Sequence, residues 1–149
     1  MMNEVKLSFI DTNIWLYRFF DDQRIEAKER DRKRNIAISI TDPSNLMIST
    51  QVINEISVNL IKKAKLNENQ IKAMIQSLYN RCQVLEFNLT ILESASDLRT
   101  QYNLSFWDSL IVASALSGGA DALYSEDMQD GLIVSQQLTI INPFKPELY

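Results

Sequence analysis

The 149-residue chain contains no histidine and a single cysteine. Without histidine there is no imidazole general base, no Ser-His-Asp triad, no His-Glu-His zinc site and no paired-histidine RNA cleavage. Cys82, being alone, excludes an internal disulfide and a thiolate zinc site, and it reads as a small buried apolar residue after a helix. No apolar run approaches the roughly 18 residues that a membrane span requires. The opening Met1-Met2-Asn3-Glu4 has neither the basic end nor the long apolar stretch of a secretion signal, so a cytoplasmic protein is expected. A basic excess is also missing: 15 Lys and Arg against 19 Asp and Glu leave a net charge of −4, which argues against unspecific adhesion to nucleic acid. The composition, 46% apolar and 23% charged, is that of an ordinary globular protein. The length fits a single domain over 1–149.

What is present is a regular alternation of short apolar runs with helical patterns. The run 5–10 reads as a buried strand that stops at Asp11-Thr12-Asn13, followed by a short helix over 14–20 and a charge-dense helix over 22–40. Leu46-Met47-Ile48 is a second strand, with Ser49 or Thr50 capping a helix to residue 65 in which Val52, Ile53, Ile56 and Leu60 form the apolar stripe. A helix over 67–81, a strand over 84–87, and helices over 90–102 and 105–116 follow, the last ending on Gly118-Gly119. Ala122-Leu123-Tyr124 and 138–141 complete the strands. Short apolar strands alternating with helices indicate a parallel sheet covered on both faces.

With histidine and thiolate chemistry excluded, carboxylates, lysines and hydroxyls remain. Four acids stand where apolar runs begin or end: Asp11, Glu55, Asp108 and Asp127. Each has an ordinary explanation by itself. Asp11 can cap a helix, Glu55 can lie on a solvated helix face, Asp108 in Ser105-Phe106-Trp107-Asp108 fits a capping box, and Asp127 sits in a turn-rich segment. Glu126 and Asp130 are rivals of Asp127. Gathered by one fold, the four would repel, since two like charges about 4 Å apart cost roughly 4 kcal/mol at an effective dielectric near 20. Such a pocket takes up protons or a hard divalent cation, Mg²⁺ or Mn²⁺, which prefers oxygen ligands.

The order of these blocks resembles the PIN-domain ribonuclease family and, within it, the VapC-like toxins of toxin–antitoxin pairs. Phe9-Ile10-Asp11-Thr12-Asn13 matches the family's opening, Glu55 its second acid by position, and Trp107-Asp108-Ser109-Leu110-Ile111-Val112-Ala113 its third acidic block. The last block departs: Ser125-Glu126-Asp127 stands where the family often has Thr-Arg-Asp, which keeps a hydroxyl and an acid but exchanges a basic residue for an acidic one. The resemblance spans about 7–142. It implies a three-layer α/β/α sandwich around a mainly parallel sheet of 4–5 strands. It also implies Mg²⁺ or Mn²⁺ held by Asp11, Glu55, Asp108 and Asp127, and cleavage of RNA without a protein nucleophile to leave 5′-phosphate and 3′-hydroxyl ends.

Thr12, Asn13 and Ser125 are placed to orient an acid or a water by hydrogen bonding, or simply to cap and support turns. The cations Arg24, Lys28, Arg30, Arg32, Lys33 and Arg34 could follow a phosphate backbone, but the interleaved Glu26, Glu29 and Asp31 favour a salt-bridged helix face. Trp15, Tyr17, Phe19 and Phe20 exceed what one buried face takes, and the resemblance implies a homodimer face or an antitoxin-binding surface there. Two other readings compete. A phosphatase of the haloacid-dehalogenase type wants a second Asp where Asn13 stands, and a non-catalytic binding module would keep the fold with an idle acidic pocket.

Overall fold

A computed structural model describes residues 6–146. Six strands form one sheet in the order β3-β2-β1-β4-β6-β5. The first five positions in that order are mutually parallel, and only β5 runs antiparallel, against β6. The strands are β1 (Ser8–Ile10), β2 (Leu46–Ser49), β3 (Cys82–Leu85), β4 (Ala122–Tyr124), β5 (Ile133–Val134) and β6 (Leu138–Ile141). The helices are α1 (Thr12–Phe19), α2 (Ala27–Thr41), α3 (Thr50–Ala64), α4 (Glu68–Arg81), α5 (Leu89–Gln101) and α6 (Phe106–Ser117).

Right-handed crossovers fix the layers. The chain steps outward from β1 to β2 to β3, which puts α1 to α4 on one face, and then returns across the sheet to β4, which puts α5 and α6 on the other. The result is the expected three-layer α/β/α sandwich. Covered on both faces, the central strands lose any alternation of polarity: all four residues of β2 are buried, as are Phe9 and Ile10 of β1. Helix α6 is buried along one unbroken stretch from Ser109 to Ala115, so it too reads as apolar nearly all round.

The elements follow from local chemistry. Ser49 accepts the Val52 amide at 3.4 Å to start α3, and Asn67 and Gln70 form a reciprocal capping box at the head of α4. The helix expected over 22–40 begins only at Ala27. The Asp22 carboxylate accepts the Arg24 amide at 3.0 Å, holding 22–25 in a turn, and Glu26 then caps α2 by accepting the Lys28 and Glu29 amides at 3.2 Å each. At the end of α6 the two glycines do different jobs. Gly119 has the positive φ of +79°, whereas Gly118 is needed for space, since a Cβ there would collide with the Met47 and Leu85 side chains.

Two expectations on the strands are corrected. The strand expected over 84–87 is Cys82–Leu85, because α4 passes directly into it and its register runs from Leu46 beside Cys82 to Ser49 beside Leu85. The sheet has six strands where 4–5 were expected. The extra one, β5, has two residues and reaches β6 through a turn whose central residues Ser135 and Gln136 have φ of 52° and 59°, closed by the Gln137 amide on the Val134 carbonyl at 3.1 Å. That turn lacks the Asn-Gly or Asp-Gly signal of a two-residue hairpin. Of the first expected strand, Val5 lies outside the described residues.

Of the crowded aromatics of α1, Trp15 is buried in the core, while Tyr17, Phe19 and Phe20 are half-buried. Trp15 is fully buried, its indole N–H donates to the Ile10 carbonyl at 3.3 Å, and its ring stacks on Phe19 at 5.9 Å. Tyr17 meets Phe144 edge-on at 5.1 Å, and Phe20 packs half-buried against the core. Cys82 is buried as expected, and burial pushes its thiol up to about 11.

Candidate active site

In an open parallel sheet, ligand sites lie at the carboxyl ends of the strands where the strand order reverses. Here the reversal falls between β1 and β4, with β2 on the other side of β1. Asp11 follows β1 directly, and Asp127 lies three residues past the end of β4. Glu55 comes in from the second turn of α3 and Asp108 from the first turn of α6. All four line one cavity of about 220 Å³, together with Thr12, Asn13, Gln51, Asn59, Trp107 and Ile111. No lysine or arginine lines it.

Ser125, Thr12 and Asn13 each donate a hydrogen bond to a different one of these acids. Ser125, fully buried, donates from its hydroxyl to Asp11 Oδ2 at 2.9 Å. Thr12 donates to Glu55 Oε2 at 2.6 Å, and Asn13 donates from its amide to Asp127 Oδ2 at 2.6 Å. One orienting residue was not foreseen: Gln51, one turn before Glu55 on α3, donates to Glu55 Oε1 at 2.9 Å. Its spacing of four from Glu55 was the available signal.

The ordinary explanations of the acids turn out to be partly true as well. Asp11 does cap α1, accepting the Thr12 amide on Oδ1 at 2.7 Å, while Oδ2 faces Ser125. Ser105 caps α6 by accepting the Asp108 amide at 3.1 Å, but α6 shows no reciprocal capping box, which leaves the Asp108 carboxylate to the cavity. Asp127 is the fourth wall residue, and its rivals are engaged elsewhere. Glu126 accepts from the Lys33 ammonium at 2.7 Å and the Tyr17 hydroxyl at 2.6 Å. Asp130 accepts the Asn142 amide at 2.7 Å and lies 3.6 Å from the Lys145 ammonium.

Burial first, then the proximity of Glu55 and Asp108, raises the Asp11 carboxyl to about 6, against the hydrogen bonds from Thr12 and Ser125 that lower it. Asp108 is raised too, by burial and by the charges of Asp127 and Glu55. These are the marks of carboxylates crowded together without a cation. Among the described residues no three acids converge as a closed ligand group. They line a cavity wide enough for water between carboxylate and ion, which suits a hard cation that keeps part of its hydration shell. The donor set, oxygen throughout, fits such an ion.

Four of the six cations in and before α2 form close ion pairs. Arg24 pairs with Asp22 at 2.8 Å, Arg32 with Glu29 at 2.7 Å, Arg34 with Asp21 at 2.5 Å and Lys33 with Glu126 at 2.7 Å. No described helix is long and apolar enough to cross a membrane.

Comparison with known proteins agrees with this architecture. No curated protein matches the chain in sequence. Among solved structures, a toxin–antitoxin complex from Klebsiella pneumoniae has a TM-score of 0.62 at 20% identity, covering 91% of this chain and 97% of that one. The sarcin–ricin-loop-cleaving toxin VapC20 of Mycobacterium tuberculosis has a TM-score of 0.57 at 19% identity, covering 80% and 89%. VapBC2 from Rickettsia felis, bound to a DNA fragment of its promoter, has a TM-score of 0.54 at 19% identity, covering 81% and 88%. At these identities the likeness is one of fold. The PIN domain family model matches residues 8–129, a span that holds all four cavity acids and the residues that orient them. The chain therefore belongs to the PIN domain family.

Proposed function

We propose that the protein is a metal-dependent endoribonuclease that hydrolyses RNA phosphodiester bonds, and that it is the toxin of a toxin–antitoxin pair. What supports this reading above all is the cavity at the sheet's reversal point, lined by Asp11, Glu55, Asp108 and Asp127 with no cation among them. The chemistry it suits is hydrolysis at phosphorus: a bound Mg²⁺ or Mn²⁺ supplies Lewis-acid activation of water and neutralises charge on the phosphoryl oxygens. Asp11, Glu55, Asp108 and Asp127 are the residues that would hold it, directly or through water. Ser125, Thr12, Asn13 and Gln51 keep the Asp11, Glu55 and Asp127 carboxylates oriented, so these three need little rearrangement as charge develops.

The fold-level relatives described as toxin–antitoxin proteins support an antitoxin as partner and RNA as substrate for this chain. A second copy of the chain is a further expected partner. Residues 1–149 work as one nuclease unit in the cytoplasm. Expression in a bacterial host should arrest growth, and Asp11→Asn or Asp108→Asn should relieve the arrest. Unchanged toxicity in both variants would overturn the assignment.

A further inference from the structure

Beside the acidic cavity lies a second one of about 450 Å³, lined by Thr50, Gln51, Asn54, Glu55, Phe87 and Trp107. Gln51, Glu55 and Trp107 belong to both walls, so the two cavities adjoin. The second differs in character. Glu55 is its single charged lining residue, and two large aromatics line it while remaining open to solvent: Trp107 is 60% exposed and Phe87 37%. They come from separate elements, Trp107 from the first turn of α6 and Phe87 from the segment after β3. Aromatic area of this size left wet at a cavity wall calls for a ligand.

We propose that this pocket is a nucleobase subsite. It takes the unpaired base of the nucleotide next to the cleaved phosphate, stacked on Trp107 and Phe87. The assignment rests on the ribonuclease reading and adds where the substrate lies. A phosphate at the acids puts the neighbouring nucleotide at the shared wall. The absence of lysine and arginine from the lining disfavours a second phosphate and suits a neutral aromatic ring. Bases are available for such stacking only in single strands, loops and bulges, so these are the substrate elements the site selects.

The chain has two tryptophans, and Trp15 is fully buried, so Trp107 reports on this pocket by its fluorescence. The test uses the Asp11→Asn protein, first checked to leave the probes uncut, with Mg²⁺ and single-stranded hexanucleotides of uridine or adenosine as probes. Binding should quench the exposed tryptophan. By polarisation, Trp107→Ala in the same protein should weaken affinity about 5- to 100-fold, the range that loss of one stacked base gives at 1.4 kcal/mol per tenfold. Phe87→Ala should weaken it less, and Trp107→Phe should retain most of it. Equal affinity in Trp107→Ala overturns the subsite, as does absence of hexanucleotide binding. So does quenching by an apolar peptide without quenching by RNA, which would give the face to a protein partner. Cleavage of RNA by the unmodified protein is assayed in parallel: if it cleaves while the subsite fails, only this inference falls, and if it cleaves nothing with any divalent metal, the nuclease reading falls first.

Discussion

Two charged regions of this protein lie one residue apart in sequence and obey opposite rules. Glu126 ends in a balanced cluster, paired with Lys33 at 2.7 Å and with Tyr17, while the Lys33 ammonium also sits 5.1 Å over the Tyr17 ring and 5.6 Å over that of Phe144. Asp127 turns to the other side and joins three more carboxylates in a cavity whose lining holds no lysine or arginine. The surface over Asp21–Arg34 belongs with Glu126, since Arg24, Arg32 and Arg34 answer acids two to thirteen residues away. Dense charge is therefore no sign of chemistry in this chain. Unbalanced charge is, because only the unbalanced site has free energy to gain from a cation and a phosphate.

The contrast is sharpest in activity. Asp127→Asn should lower metal-dependent RNA cleavage by about 100-fold or more, the scale of losing one preorganised electrostatic group, while Glu126→Gln one position away should leave the rate within about threefold. A purified-protein cleavage assay compares them. Equal losses in both would erase the distinction between the two regions.

Stability should respond to pH in the direction opposite to an ordinary paired acid. The Asp11 carboxyl lies at about 6 in the folded protein against 3.8 as its ordinary value. Between those two pH values the folded state holds a proton that the unfolded state has lost. Raising pH through this window therefore destabilises the metal-free protein, by about 3 kcal/mol at most, and the loss levels off above it. Asp108 acts in the same direction. Asp22, held at about 2 by its hydrogen bonds from Arg24, gives the normal opposite trend, but below the window. Thermal melts in EDTA from pH 4 to 7 should show the decline, and added Mg²⁺ or Mn²⁺ should flatten it. A rise in melting temperature across that range without metal would contradict the crowding.

Smaller effects follow at the orienting residues. Ser125→Ala and Thr12→Val should each lower cleavage about 10- to 100-fold through a carboxylate left unheld, with the fold intact by circular dichroism. Lys33→Met should cost about 1 to 2 kcal/mol of stability in denaturant titration, between the values for exposed and buried pairs, because both partners are 19% exposed. Activity should survive it.

Much of the architecture was legible from local pattern. Strands β1, β2, β4 and β6 announce themselves as short apolar runs, and the helices carry their caps in sequence, as Ser49, Asn67 and Ser105 show. The misreadings have local causes. An Asx turn at Asp22 imitates helical charge patterning, and the β5–β6 hairpin puts serine and glutamine where φ is positive, without the glycine that usually marks such a turn. Of the site, three acids were visible as residue types at element ends and Glu55 as an acid beside an apolar helix stripe, with Thr12, Asn13 and Ser125 next to them. Gln51 was marked only by its spacing of four from Glu55, a spacing that solvated helix pairs share.

The primary structure alone determined the menu: oxygen chemistry without imidazole or paired thiols, a parallel sheet under two helical layers, and acids where strands and helices begin or end. Tertiary structure decided which acids meet. Glu126 and Asp127 have nearly the same chemistry and adjacent positions, and nothing local separates them. The partners that do come from far away in sequence, Lys33 and Tyr17 for one and Asn13 for the other, and only the packing of α1 and α2 beside the end of β4 brings those groups within hydrogen-bonding reach.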